Sequence, residues 1–269
     1  MMHDIEKEKK YLLGIFSWFG FVLPLPERLK LIKEAKFDAT TIWWEDEVGT
    51  EKIKKEDMPK IVRDSGLVLE NIHVPYEGCN NIWSDSYSSR KEALFKHLDW
   101  LSDCYKHNIP VMVMHITDGE KLPLPNKYGI ESINKMVRRA EELGVTLAIE
   151  NINRVDYIDF VFNEIQSPNL GFCYDSSHDW MYSKNKVEIL KKWGHLLVST
   201  HLSDNDGIKD RHWLPGEGNI DWKKVCDNFP KVSYTGFMTL ETVSRSHEEK
   251  PSEFLKNAYK SLNWIRSLI

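Results

Sequence analysis

The chain has 269 residues, 41% of them hydrophobic and 29% charged, an ordinary globular composition able to supply a sizeable core. A formal charge of −5 argues against nonspecific attachment to DNA or to an anionic membrane. Cys79, Cys104, Cys173 and Cys226 lie far apart with no C-x-x-C pair, the pattern of reduced thiols inside a cell rather than a disulfide framework. Residues 1–10 carry charges of both signs and lack the apolar core of a signal peptide, and no apolar stretch approaches the ~20 residues that span a bilayer. A soluble, cytoplasmic protein with no membrane partner is expected.

Strand-like and helix-like segments alternate from residue 11 to the end. Strands are expected near 12–18, 38–44, 67–74, 111–116, 145–150, 170–175, 197–202 and 236–241. Amphipathic stretches fall between them at Pro26–Ala35, Ser89–His107, Gly129–Leu143 and Val187–Trp193, and Ser252–Leu268 forms a closing helix. Eight strands, each followed by a helix or a loop of helical composition, predict a (β/α)8 TIM barrel over 11–269 behind a charged extension over 1–10. A doubly wound open sheet is the competing reading. It would carry a glycine-rich phosphate turn after its first strand for nucleotide work, and Leu12–Gly20 contains no G-x-G-x-x-G. The longest span without strand character, Ser203–Trp222, lies between the last two strands and is expected to carry function.

Four strand-like runs close on residues that hold divalent metals: Glu150, Asp175, His201 and Glu241. In a parallel barrel all strands end at one rim, so these four are expected to converge. Any one of them could be a solvated rim residue, but four in succession suit an oxygen-rich metal site with room for substrate oxygens. The two glutamates could also serve as base and acid on either side of a bound sugar. Proton removal next to a carbonyl leaves an enediolate, whose charge a metal stabilises.

His73 and His115 end two further runs, where they could bind a second metal, contact substrate hydroxyls or simply be hydrogen-bonded in the structure. Asp210-Arg211-His212 spaces a carboxylate and an imidazole two apart, a workable chelate that His178 could join; an ion pair of Asp210 with Arg211 is the plainer alternative. His3, His97, His107, His195 and His247 read as helix or surface residues. Trp18, Trp43, Trp44 and Trp83 fall at or just beyond strand ends, where they could line a pocket or cap the core; Trp18, Trp44, His178 and Arg211 are taken as the substrate-binding candidates.

At Ile149-Glu-Asn151, Gly171–His178, His201–Asp206, Leu214–Trp222 and Leu240-Glu241 the chain is similar to the xylose isomerase-like barrel superfamily of sugar isomerases, sugar 3-epimerases, inosose-processing enzymes and endonuclease IV. The resemblance implies one divalent ion (Mn, Co, Mg or Zn) at Glu150, Asp175, His201 and Glu241, with Glu150 and Glu241 exchanging protons with the substrate. The endonuclease branch implies up to three zinc ions, the second at His73, His115 and Glu150, the third at His178, Asp210 and His212. Trp43-Trp-Glu-Asp-Glu47 is acidic where a DNA-inserting loop would meet phosphates, and Tyr76 is followed by Glu77-Gly-Cys rather than an apolar wedge. The expected activity is therefore sugar isomerisation or epimerisation on a small ketose, inosose or related polyol carbonyl. A zinc-dependent AP endonuclease, a dehydratase using the same enolate chemistry and a noncatalytic metal-containing barrel that binds a sugar or a partner protein are the alternatives. Relatives of this kind often form homo-oligomers, which the resemblance allows here.

Overall fold

Eight short parallel strands form a barrel in the computed structural model, which describes residues 11–230, 234–246 and 248–269. The strands are β1 (Leu12–Phe16), β2 (Ala39–Trp43), β3 (Val68–His73), β4 (Val111–Met114), β5 (Thr146–Glu150), β6 (Leu170–Asp175), β7 (Leu197–His201) and β8 (Phe237–Leu240). Between and after them run α1 (Leu25–Glu34), α2 (Met58–Asp64), α3 (Tyr87–Lys106), α4 (Lys127–Leu143), α5 (Val155–Glu164), α6 (Ser176–Tyr182), α7 (Glu188–Trp193), α8 (Trp222–Asp227) and α9 (Pro251–Leu268). The expected strands are all present, trimmed by a residue or two at their ends. The charged extension over 1–10, and with it His3, lies outside the described residues, as does His247. No described helix is long and apolar enough to cross a membrane.

Continuous pairing runs β7-β6-β5-β4-β3-β2-β1-β8. The ring closes where Leu202 bridges to Leu240: Leu202 N donates to Thr239 O at 2.9 Å, and Glu241 N donates to Leu202 O at 3.2 Å. Thr200 Oγ1 accepts from Thr239 N at 3.0 Å, so a side chain stands in for a ladder rung at the seam.

The outward strand faces and the inward helix faces make the main core. Helix α4 shows how the sequence directs this. Asn126 caps its first turn by accepting from Tyr128 N and Gly129 N, and Ile133, Met136, Val137 and Ala140 bury one stripe at three- and four-residue spacing. Gly144 ends it at φ +66°, a conformation glycine adopts without penalty. Gly129 sits against Trp83, whose indole would lie within 2.3 Å of an added Cβ at two atoms.

The barrel interior beneath the mouth is partly polar. A register shift between Thr40 and Thr41 makes Glu70 an extra residue of β3, and Glu70 and the adjacent Asn71 share a cluster with Ser199 and Thr239. Asn71 Nδ2 donates to Ser199 Oγ at 3.1 Å, Ser199 Oγ to Glu70 Oε1 at 3.3 Å, and Thr239 Oγ1 to Glu70 Oε2. Burial pushes the Glu70 carboxyl up to about 7.

Candidate metal centre and active site

Strand register sets the site. Trp43 pairs with His73, His73 with Val113, Glu150 with Cys173, and Asp175 with His201, so the chemical side chains end on one rim. Glu150 lies at the centre, 1% exposed. Its Oε2 is 3.0 Å from His73 Nε2, 3.4 Å from His115 Nε2 and 3.1 Å from His201 Nδ1, and its Oε1 is 3.4 Å from His178 Nδ1. Glu241, just past β8, places Oε2 3.1 Å from the same His201 Nδ1. Single donor atoms of Glu150, Asp175, His201 and Glu241 lie within 4.8 Å of one another, as do those of His73, His115 and Glu150. Asp210 joins the remaining pair: its Oδ2 is 3.0 Å from His178 Nε2 and 3.1 Å from His212 Nε2.

The hydrogen bonds behind these residues set which atoms face inward. Asp175 caps α6, accepting from His178 N through Oδ1 at 2.6 Å, which leaves Oδ2 buried with no hydrogen-bond partner. Neither ring nitrogen of His201 makes a well-directed hydrogen bond, although two carboxylate oxygens stand 3.1 Å from Nδ1. A backbone carbonyl only accepts, so His73, His178 and His212 each donate Nδ1–H, to Val74 O at 2.9 Å, Asn151 O at 3.0 Å and Glu241 O at 3.0 Å. Their Nε2 atoms then carry lone pairs toward carboxylate oxygens, an arrangement that calls for a proton or a metal ion between them. His212 is held in this pose at φ +50°, which costs a non-glycine residue some backbone strain. Orphaned donor atoms on Asp175 and His201, with imidazole tautomers fixed by carbonyls, fit a divalent cation.

Without a cation, the charges are arranged as follows. Burial pushes Glu150 up, but His201, His115 and His178 outweigh it and hold the carboxyl well below its usual range. Glu241 goes the same way, to about 2, through His201 and His212 against burial. Burial raises Asp175 to about 7 despite His178. Burial opposes the charged forms of His178, His201 and His212, yet the carboxylates around them raise all three, His212 to about 10. At His115 burial lowers the pKa and favours the neutral ring. Glu150, Glu241 and Asp210, held as carboxylates by the imidazoles around them, make a charge cluster that could hold a cation.

A cavity of about 520 Å³ opens above Glu150 between His73, His115, His178, Asp210, His212 and Glu241. Trp43 walls it, stacked on His73 with centroids 5.0 Å apart, and Tyr76 stacks on His115 at 4.9 Å. Trp18, 45% exposed, faces an adjoining hollow instead. Two candidate substrate contacts go elsewhere. Trp44 is 1% exposed, its Nε1 donating to Asp103 Oδ2 at 2.9 Å, because neighbours on a strand point to opposite faces and Trp43 takes the inward one. Arg211 bonds Asp206 (Nε to Oδ2, 2.9 Å) and is not among the cavity's lining residues, so Asp210 is left to the two histidines. His97 and His107 lie in and at the end of α3 and His195 in a 3-10 turn, all apart from the site.

From sequence, Trp43 stands open between pocket wall and core and outside the substrate-binding candidates, and Tyr76 and Asp204 have no site role. Strand parity separates Trp43 from Trp44 without saying which faces inward, and the pairing of Trp43 with His73 decides it. Asp204 had no signal that local pattern could supply. It is fully buried and ties the span after β7 together, accepting from Asn205 N, Gly216 N, Ile220 N and Trp222 Nε1 at 2.8–3.0 Å. That span carries Asp210 and His212.

A parallel (β/α)8 barrel with a carboxylate–histidine cluster at its mouth defines the class of protein. Residues 29–268 match the xylose isomerase-like TIM barrel family, and the chain belongs to it. An uncharacterized protein of Sinorhizobium fredii is 26% identical over 86% of this chain and 85% of its own length. The fructoselysine 3-epimerase of Escherichia coli O157:H7 is 25% identical over 42% of this chain and 44% of that protein. The structure of D-psicose 3-epimerase from Clostridium cellulolyticum H10 superposes with a TM-score of 0.77 over 96% of this chain and 99% of that one, at 16% identity, a likeness of fold.

Proposed function

We propose that this enzyme is a divalent-metal-dependent sugar isomerase or epimerase that moves a proton on a ketose, inosose or related polyol carbonyl. The observation that carries the reading is the meeting of Glu150 and Glu241 at His201 Nδ1, each 3.1 Å away, from strands β5 and β8 and beside a cavity of hexose scale. Glu150, Asp175, His201 and Glu241 would hold the ion. When bound, the ion supplies positive charge beside the substrate's carbonyl and hydroxyl oxygens. One glutamate removes the proton next to the carbonyl and the other returns one, through an enediolate. His178, fixed by Asn151 O and Asp210, orients a substrate oxygen, while Trp43 and Tyr76 exclude water from one side. The fructoselysine 3-epimerase and D-psicose 3-epimerase among its relatives and structural neighbours support the substrate class.

The test is exchange of the carbon-bound proton next to the carbonyl into deuterated water, followed by NMR across a ketose and inosose panel. Exchange by the wild type, lost on Glu150→Gln or Glu241→Gln with the far-ultraviolet circular dichroism unchanged, is the expected result. Full activity in either variant would remove the proton-transfer role assigned to it.

The second metal cluster, His73, His115 and Glu150, favours one further reading, a zinc-dependent AP endonuclease. Asp46 and Glu47 lie in the loop that would approach DNA, Asp46 paired with Lys54 and Glu47 with Arg28, which leaves little free positive charge to meet phosphates there. Nicking of an abasic duplex would move the assignment to that chemistry.

A further inference from the structure

The cavity above Glu150 has a neighbour at the mouth. A second hollow, of about 570 Å³, lies between the segments that follow β1 and β2, and shares Trp43, His212 and Glu241 with the first as a common wall. Either volume by itself falls in the ~300–1,000 Å³ range of a whole small-ligand site. A free monosaccharide on the metal centre therefore leaves the outer hollow unfilled.

The outer hollow is built rather than incidental. Trp18, an indole left 45% exposed, lines it together with the buried Arg28, whose guanidinium carbon lies 5.6 Å from the ring centroid. Arg28 is itself fixed at both ends, donating through Nη1 to Ser17 O at 3.2 Å and through Nη2 to Glu47 Oε1. A large exposed aromatic beside a buried, fixed cation is a preformed platform. Val22 and Val48, 67% and 78% exposed, stand at the rim, and Trp43 with its Nε1 bonded to Glu45 closes the inner side.

The charges select among substituents. Glu45, Asp46, Glu47 and Glu241 line the hollow against Arg28, already committed to Glu47, and His212, already paired with Asp210, so a phosphate or carboxylate substituent would meet net negative charge. A neutral polyhydroxylated ring meets no such penalty. It lays its C–H face on Trp18 and gives hydroxyl hydrogens to carboxylate oxygens such as those of Glu45.

We infer that the outer hollow is a subsite for a second, uncharged sugar ring, so that the substrate is a glycosylated keto-sugar rather than a free monosaccharide. This rests on the sugar isomerase or epimerase reading for the inner cavity and adds the substrate's size and attached group to it. The ring to be changed sits in the inner cavity, and the glycosyl group reaches past Trp43 onto Trp18.

The experiment measures binding and proton exchange separately on the metal-loaded protein. Affinities for D-fructose and for 6-O-glucosyl-fructose are measured by titration calorimetry with wild type, Trp18→Phe and Trp18→Ala, and exchange is followed by NMR on the same sugars. The expected result is a roughly tenfold tighter Kd for the disaccharide, kept by Trp18→Phe and lost by Trp18→Ala. Equal affinity for both sugars, or a disaccharide preference that survives Trp18→Ala, overturns the subsite, as does tighter binding of lysine-conjugated fructose than of the disaccharide. Disaccharide preference without exchange on either sugar supports the subsite and overturns the isomerase reading. Binding of neither sugar overturns both.

Discussion

Replacing Asp204 tests whether the span between β7 and β8 is held by one buried side chain. Four donors, Asn205 N, Gly216 N, Ile220 N and Trp222 Nε1, end on its two oxygens at 2.8–3.0 Å, and its exposure is 0%. Each buried donor left unmade costs about 1–3 kcal/mol. Asp204→Ala strips all four, and with water entering the gap a loss of about 4 kcal/mol or more is expected. Asp204→Asn is milder. Its remaining oxygen still satisfies one pair, either Asn205 and Ile220 or Gly216 and Trp222, while the amide NH2 faces the other, for a cost of about 2–3 kcal/mol. Urea unfolding gives the total. Hydrogen exchange locates it, since the Gly216, Asn219 and Ile220 amides should lose protection before the strands do, Asn219 because its N bonds Asn205 O at 2.7 Å beside the cap. Looser Asp210 and His212 should also weaken any metal they share with His178. Stability within 1 kcal/mol of wild type in Asp204→Ala, with those amides still protected, would refute the reasoning.

Protein prepared without chelator should carry about one manganese, cobalt, magnesium or zinc ion per chain, and removing the ion should lower the melting temperature by roughly 5–10 °C, the effect of a ligand near 100 Kd. About three zinc ions would instead make ligands of His73, His115, His178, Asp210 and His212; retention of none, with an unchanged melting temperature, would remove the metal from the proposal. Two buried groups outside the proposed metal-donor set give pH dependences of opposite sign. His97 is held down to about 4 by burial, so the folded state refuses the proton that the unfolded chain takes up, and stability falls by up to about 3 kcal/mol as pH drops from 6.5 toward 4. Glu70 is pushed up to about 7, so its contribution is intact below 4.5 and falls away by a similar amount as pH rises toward 7. Urea midpoints of the metal-free protein should therefore lose their acid-side fall in His97→Gln and their fall toward neutral pH in Glu70→Gln; parallel pH profiles for wild type and both variants would contradict the assignment.

Much of this molecule is legible in one dimension. Strand after strand ends on a chemically distinctive residue, and parallel strands of similar length must bring those ends to one rim, so Glu150, Asp175, His201 and Glu241 could be expected to meet before any coordinates were known. Periodicity of two and of 3.6 residues is a local property, and it gave the eight strands and the long helices α1, α3, α4 and α9. The short α7 also fell within an expected stretch, whereas α2, α6 and α8, of six or seven residues, and the ten-residue α5 did not.

What only the tertiary structure decides depends on which way side chains turn and on what lies opposite them. Trp43 and Trp44 are adjacent and identical in type, yet one walls the cavity and the other is core, a choice made by the register of β2 against β3. Arg211 could have paired with Asp210, but Asp206 holds it and Asp210 goes to His178 and His212. Bulges in β3 and β7 turn Glu70 and Ser199 into the barrel, where a carboxyl without a cation has its acidity set by burial. Sequence alone named the residue types and the rim on which they gather, because strand direction and order follow from local pattern. The ring tautomers, the orphaned oxygen of Asp175 and the hollow over Trp18 come from atoms distant in the chain meeting in three dimensions, and no local pattern encodes those meetings.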